Sequence, residues 1–222
     1  MDEKLWTAVD DYIAEMLLPA DAVLQAALEA SKAAGLPPIA VTPAQGKFLH
    51  LLARLQGARR ILEIGTLGGY STIWLGRALP AGGKLVTLEV SPDYARIALE
   101  NISRAGLDTI VDLRRGPALE TLPKIAAEDA GAFDFIFIDA DKQNIPKYFE
   151  YACQLSRLGS LIIVDNVIRD GRVIDAKSHD PDIQGIRRFN QLLSRKQDVC
   201  ATAIQTVGAK GHDGFAAVLV TG

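Results

Sequence analysis

From Arg59 onward the chain alternates short β-rich runs with longer helical ones, and this alternation restricts the fold more than any other feature. ILEIG (61–65), KLVTLEV (84–90), IVDLRR (110–115), FDFIFIDA (133–140) and LIIVDN (161–166) read as buried strands. Helical spacing is found between and after them, around 70–79, 93–105, 118–128 and 144–156. Parallel strands need a crossover connection, so strand–helix repetition predicts parallel pairing. A further helix near 182–195 precedes VCATAIQTV (199–207) and GFAAVLVT (214–221), whose Gly-rich connection predicts a closing hairpin. The expected fold is therefore α/β: a doubly wound, mostly parallel, Rossmann-like sheet with an antiparallel C-terminal hairpin.

Helices precede the sheet. Apolar residues recur at helical spacing over Leu5 to Leu18 and Ala20 to Ala34, with Pro19 between them. Gly35-Leu36-Pro37-Pro38 then breaks the pattern, and Thr42-Pro43 reads as N-cap and first residue of a helix through Leu55. No repeat or linker interrupts the chain, which predicts one domain over 1–222, with N-terminal helices (1–58) and an α/β core (59–222). At 222 residues, 49% hydrophobic and 23% charged, the chain can form a sizeable core. A net charge of -3 argues against nucleic-acid and anionic membrane partners, which call for a basic face. No apolar run approaches the roughly 18 residues of a membrane span. An acidic start, MDEKLWTAVDDY, does not read as a signal peptide. With only Cys153 and Cys200, neither a disulfide framework nor a zinc cluster is expected, and the cytoplasm is the simplest location.

In such sheets ligands bind beyond the carboxyl ends of the strands, where the strand order reverses. The first strand runs Leu62-Glu63-Ile64-Gly65 into Thr66-Leu67-Gly68-Gly69-Tyr70-Ser71. This Gly-x-x-Gly-Gly loop permits a tight turn and close backbone approach. It is not the Gly-x-Gly-x-x-Gly of dinucleotide binders. Glu63 would repel a pyrophosphate yet suit a cationic ligand, and S-adenosylmethionine (SAM) carries an ammonium and a sulfonium without phosphate. Glu89, at the end of the second strand, stands where an acid accepts ribose hydroxyl protons. Either acid taken alone could also be a solvated charge at a strand end.

A second group of polar residues ends the fourth and fifth strands: Asp139-Ala140-Asp141-Lys142 and Asp165-Asn166. Adjacent parallel strands lie about 4.8 Å apart, so Asp139 and Asp165-Asn166 should face one crevice. Two carboxylates and an amide oxygen form a hard donor set suited to magnesium or a related cation. Lys142 is within reach of anything held there, and a neighbouring cation would disfavour its ammonium form, preparing it as a general base. Alternatively, Asp165-Asn166 caps a turn and Asp141-Lys142 is a surface pair.

Taken together and in this order, these segments resemble the cation-dependent O-methyltransferases, the family of catechol and caffeoyl-CoA O-methyltransferases, in a bacterial-type form. The resemblance runs from about Val41 to the C-terminus and includes Thr42-Pro43-Ala44-Gln45-Gly46-Lys47-Phe48-Leu49. It implies that Glu63, Gly65, Thr66 and Ser71 hold the methionine part of SAM, that Glu89 holds the ribose, and that Val41, Ala118 and Asp141 complete the cofactor pocket. It further implies Asp139, Asp165 and Asn166 as ligands of Mg2+ (or Mn2+ or Ca2+), with Asp139 and Lys142 catalytic. A small hydroxylated, catechol-like or vicinal-diol acceptor and a homodimer follow from the same likeness.

The chain departs from the family near the acceptor. Arg169-Asp170-Gly171-Arg172 replaces the aromatic residue and asparagine of plant caffeoyl-CoA enzymes, and the loop 208–214 has no clear counterpart to the acid that orients catechols. Arg169 and Arg172 either meet an acidic substrate or are solvated loop charges. His50 reads as a packed or partly exposed side chain, His179 and His212 as loop residues, and Trp74 as core. Trp6 is open between anchoring the N-terminal helices over the site, packing in a subunit interface, and doing both. Two competing readings are a nicotinamide-dependent oxidoreductase, opposed by the glycine pattern, and a non-catalytic SAM-binding protein, opposed by the complete polar set around Lys142.

Overall fold

The computed structural model describes residues 2–128 and 130–222. Its seven strands form one sheet in the order β3-β2-β1-β4-β5-β7-β6. The central strands are β1 (Arg60–Ile64), β2 (Lys84–Glu89), β3 (Val111–Arg115), β4 (Phe133–Ile138) and β5 (Ser156–Asp165), all parallel. Strands β6 (Val199–Gly208) and β7 (Gly211–Val220) form the antiparallel hairpin, joined to the sheet through β7 and β5. The order reverses between β1 and β4, which opens a crevice at their carboxyl ends.

Both faces of the sheet are covered, and side chains along the strands alternate between two cores. Phe135 and Phe137 of β4 join Ile61 on one face, under α2 (Ala22–Ala33), α3 (Pro43–Leu55), α4 (Tyr70–Gly76) and α5 (Pro92–Arg104). Phe133, Ile136 and Ile138 join Leu62 and Ile64 on the other, under α6 (Ala118–Ala127), α7 (Ile145–Gln154) and α8 (Pro181–Arg195). Helix starts follow capping chemistry: Asp21, Thr42, Ser91 and Asp180 each accept a backbone N–H of the following turn. The first helix, α1 (Glu3–Leu17), differs from the rest, as it buries no residue and rests on β6 and α3. Among the described residues, no helix is long and apolar enough to cross a membrane.

Two elements extend beyond the sequence expectation. Strand β5 begins at Ser156 rather than near 161, although Ser156-Arg157-Leu158-Gly159 carries no alternating apolar pattern. Side chains hold that extension: Arg157 pairs with Asp134 at 2.6 Å, and Ser160 Oγ donates to the Phe133 carbonyl at 2.7 Å. The hairpin is also tighter than expected, since β7 starts at Gly211 and leaves only Ala209-Lys210 between the strands. Gly211, at φ 87°, takes the left-handed conformation that lets the ladder begin there, so His212, Asp213 and Gly214 lie in the strand.

Candidate active site

A cleft of about 1300 Å3 opens beyond the carboxyl ends of β1, β2, β4 and β5. Pockets for one drug-sized ligand span roughly 300–1,000 Å3, so a nucleoside-sized molecule and a small second one fit together here. Its position follows from strand register. Ile64 pairs with Leu88 of β2 and Ile138 of β4, and Ile138 pairs with Val164 of β5. The next residues along, Gly65, Glu89, Asp139 and Asp165, therefore arrive at one rim.

Glycine chemistry brings the rim together. Gly65 has φ 105°, and a Cβ there would collide with the Asp139 carbonyl, so only glycine lets β1 and β4 end side by side. Gly68 faces Ser31 of α2 in the same manner. These loop glycines serve close approach of protein to protein, and both also line the cleft.

Eleven of the twelve residues singled out from the sequence line the cleft: Val41, Gly65, Thr66, Ser71, Glu89, Ala118, Asp139, Asp141, Lys142, Asp165 and Asn166. Glu63 does not. Its side chain is fully buried behind the loop and accepts from Ser71 (2.6 Å), Thr72 and Thr87 (2.7 Å). Burial pushes its carboxyl up to about 7 even though these hydroxyls favour the ionised form. Glu63 reaches the cleft through Ser71, which it anchors, and through Thr87, which holds Thr66. The solvated-charge alternative is excluded for Glu63 by its burial and for Glu89 by its partners. Glu89 Oε2 accepts from Leu67 N–H at 2.8 Å and Oε1 from Ser91 N–H at 2.9 Å, so it fastens the glycine loop while facing the cleft.

At the β4–β5 end, Lys142 is buried and its Nζ donates to Asp139 Oδ1 at 2.7 Å. It sits on a 3-10 turn, Lys142–Asn144, against which α8 packs. Asp165 is buried as well, and its carboxyl is raised to about 7, first by burial and then by the charge of Asp139. Asn166 holds φ 58°, a left-handed conformation that asparagine tolerates better than most residues, and its N–H donates to Asp165 Oδ1 at 2.8 Å. Asp141 accepts from Tyr148 and Asn144. Burial and that carboxylate together hold the Tyr148 phenol well above its ordinary range.

The polar set fits a hard divalent cation. Two carboxylates that raise one another's energy gain from a shared positive charge, and the available donors are oxygens. Among the described residues, no three His, Cys, Asp or Glu side chains converge on a metal position. An ion here would complete its shell with Asn166 and with oxygens from outside the chain.

Several functional-looking residues were not anticipated from sequence. Gln45 of α3 donates to Asp165 Oδ2 at 2.6 Å, and Thr87 inside β2 holds both Glu63 and Thr66. Asp213 accepts from the N–H groups of Ile168, Arg169 and Gly214, fixing the loop after Asn166. The two arginines separate: Arg169 lines the cleft, 3.8 Å from Asp182, whereas Arg172 pairs with Asp180 at 2.5 Å and lies outside it. His50 is packed against Trp74, its Nδ1 3.0 Å from the Trp74 carbonyl, and Trp74 is core as expected. Cys153 and Cys200 are both free.

Comparison with known proteins agrees with this geometry. Residues 18–213 match the O-methyltransferase family. A catechol O-methyltransferase from Niastella koreensis is 51% identical over 220 residues, covering 99% of this chain and 100% of that one. The crystal structure of an O-methyltransferase from Bacillus cereus in complex with SAH superimposes with a TM-score of 0.97 at 56% identity, covering 98% of this chain and 99% of that one. An O-methyltransferase of tomaymycin synthesis from Streptomyces achromogenes, in complex with SAM, gives 0.97 at 48% identity over the full length of both chains.

Proposed function

Since the chain belongs to the O-methyltransferase family, we propose that it moves the methyl group of SAM onto a hydroxyl of a small catechol-like or vicinal-diol acceptor, with a divalent cation, most simply Mg2+. The observation that carries this reading is the shared cleft. The glycine loop and Glu89 line it together with Asp139, Lys142, Asp165 and Asn166.

SAM is consumed as a substrate, and Glu89 would hold its ribose through the lone pairs left after its bonds to Leu67 and Ser91. Ser71, fixed by Glu63, and Thr66, fixed by Thr87, present hydroxyls to the methionine end. Asp139, Asp165 and Asn166 would hold the cation, which supplies Lewis acidity that eases ionisation of an acceptor hydroxyl. Lys142 receives the hydroxyl proton on Nζ. It can do so only as the free amine, which requires the charge of Asp139, now 2.7 Å away, to be engaged elsewhere. The acceptor oxygen then forms its bond to the methyl carbon as the carbon–sulfur bond breaks, and the sulfonium leaves as a neutral thioether. Holding both reactants in one cleft contributes about 7–11 kcal/mol at best. Ile39, Phe48, Val207 and Phe215 furnish an apolar wall for an aromatic acceptor.

The test is methyl transfer to catechol followed by mass spectrometry. EDTA should abolish the product and Mg2+ or Mn2+ restore it, and Asp165→Ala should cost far more turnover than a surface control. Full activity after exhaustive chelation would overturn the cation requirement. We further propose that the protein works as a homodimer in the cytoplasm.

A further inference from the structure

Gln45 occupies the third position of α3, after Thr42 and Pro43. Thr-Pro-Ala-Gln is half of a local signature: in a capping box the residue at this position reaches back to the N–H of the cap residue. The backbone obeys the signature, with Gln45 N–H donating to Thr42 Oγ1 at 3.2 Å. Its side chain does not. The amide instead reaches Asp165, 120 residues away in the chain, and donates through Nε2 to Oδ2 at 2.6 Å.

Three features make this contact a fixed one. Thr42 caps the helix end and Pro43 stiffens it, which sets where the Gln45 side chain begins. Gly46 lies so close to the Trp74 ring that a Cβ would overlap it, so α3 is seated firmly on α4. At the other end, Asp165 is buried and its second oxygen is already held by Asn166 N–H. Each oxygen of Asp165 thus accepts one donor from its own protein and keeps one lone pair free. Only the nitrogen end of an amide can face a carboxylate, so the orientation of Gln45 is determined by chemistry.

The donor is neutral, and that distinguishes the two carboxylates. Asp139 is bonded to a lysine, whereas Asp165 is bonded to an amide that orients it without neutralising it. An oriented carboxylate that keeps its remaining lone pairs for the ion is what a dication needs from a ligand. We propose that Gln45 is a positioning residue for the metal centre, fixing Asp165 so that one lone pair of each oxygen remains for the cation. This inference rests on the cation reading above.

The experiment is Mn2+ titration of the full chain in the presence of SAM, followed by electron paramagnetic resonance of the free ion, with SAM affinity measured separately by calorimetry. Wild type, Gln45→Leu and Asp165→Asn are compared. Gln45→Leu should weaken Mn2+ binding roughly 10- to 100-fold, the usual effect of losing such a supporting partner, with a much smaller change in SAM affinity. If Gln45→Leu binds Mn2+ as wild type does while Asp165→Asn does not, the positioning role is overturned and the metal site stands. Equal losses of Mn2+ and SAM affinity in Gln45→Leu would also overturn it, by showing that the end of α3 has collapsed. Failure of wild type to bind Mn2+ overturns the inference and the cation reading together.

Discussion

Glu63 illustrates how burial redirects the work of a charged side chain. Three hydroxyls surround its carboxylate, yet desolvation outweighs them and the group titrates near 7. A carboxyl whose folded value lies above its unfolded one binds its proton more tightly in the folded state. Its stabilising contribution is full below the unfolded value and disappears as pH rises through about 7. Glu63→Gln lacks this titration. Without ligands, wild type should therefore lose about 2 kcal/mol relative to Glu63→Gln between about pH 5.5 and about pH 8.5. Urea unfolding of both proteins at the two pH values measures this, and the other buried acids, Asp165 among them, cancel in the difference. A gap that does not change with pH would mean that Glu63 is ionised throughout. Lys142 makes a second case at this scale, because among the described residues its side chain is held by Asp139. Lys142→Met should retain SAM binding and lose roughly 100- to 10,000-fold in kcat, the usual share of a general base. Near-normal kcat in steady-state kinetics at neutral pH would reduce Lys142 to an orienting charge.

At the scale of elements, helix α8 governs where Lys142 stands. Gly185 packs directly on the Lys142 carbonyl, and an added methyl would lie 2.6 Å from the Gln143 Cα, in backbone that cannot swing aside. A glycine-to-alanine change inside a helix ordinarily stabilises by about 1 kcal/mol. Here the sign should reverse, with Gly185→Ala costing about 1–3 kcal/mol as overpacking does, and kcat should fall as the 3-10 turn shifts. A raised urea midpoint for Gly185→Ala would show that the contact yields. Legibility in the sequence follows the same physics. Strands β1, β2 and β4 could be read because both faces are buried, so apolar runs ending in Glu63-Ile64-Gly65, Glu89 and Asp139 marked the rim directly. The start of β5 could not, since its pairing depends on Arg157 with Asp134, and no local pattern encodes a partner 23 residues away. The role of Gln45 was hidden behind a local capping pattern that explains the residue without its distant contact. Asp213 was hidden by the glycines around it, which read as loop until Gly211 let the strand begin early.

For the whole molecule, the unfinished surface is the one around α1. Leu5, Val9, Tyr12 and Met16 recur at spacings of four, three and four, forming one helical stripe, and are 57%, 47%, 64% and 59% exposed. Residues Cys200–Val207 of the neighbouring β6 are exposed too, as are Leu51 and Leu55 of α3, on which α1 also rests. A helix of this length draws most of its stability from packing an apolar face, and α1 has none buried within the chain. A second copy presenting the same surface would bury the stripe, as a two-fold interface requires. It would also steady the hairpin turn, because Asp10 of α1 accepts from Ala209 N–H at 2.7 Å beside the cleft. Dimerisation and the shape of the acceptor end should therefore be linked. Light scattering at micromolar concentration should give twice the chain mass. Tyr12→Glu combined with Met16→Glu should give a monomer whose N-terminal segment is cleaved rapidly by protease and whose KM for the acceptor rises more than its KM for SAM. A wild-type monomer would refute the dimer. A monomeric double variant with unchanged acceptor KM would confine α1 to assembly and remove its link to the site.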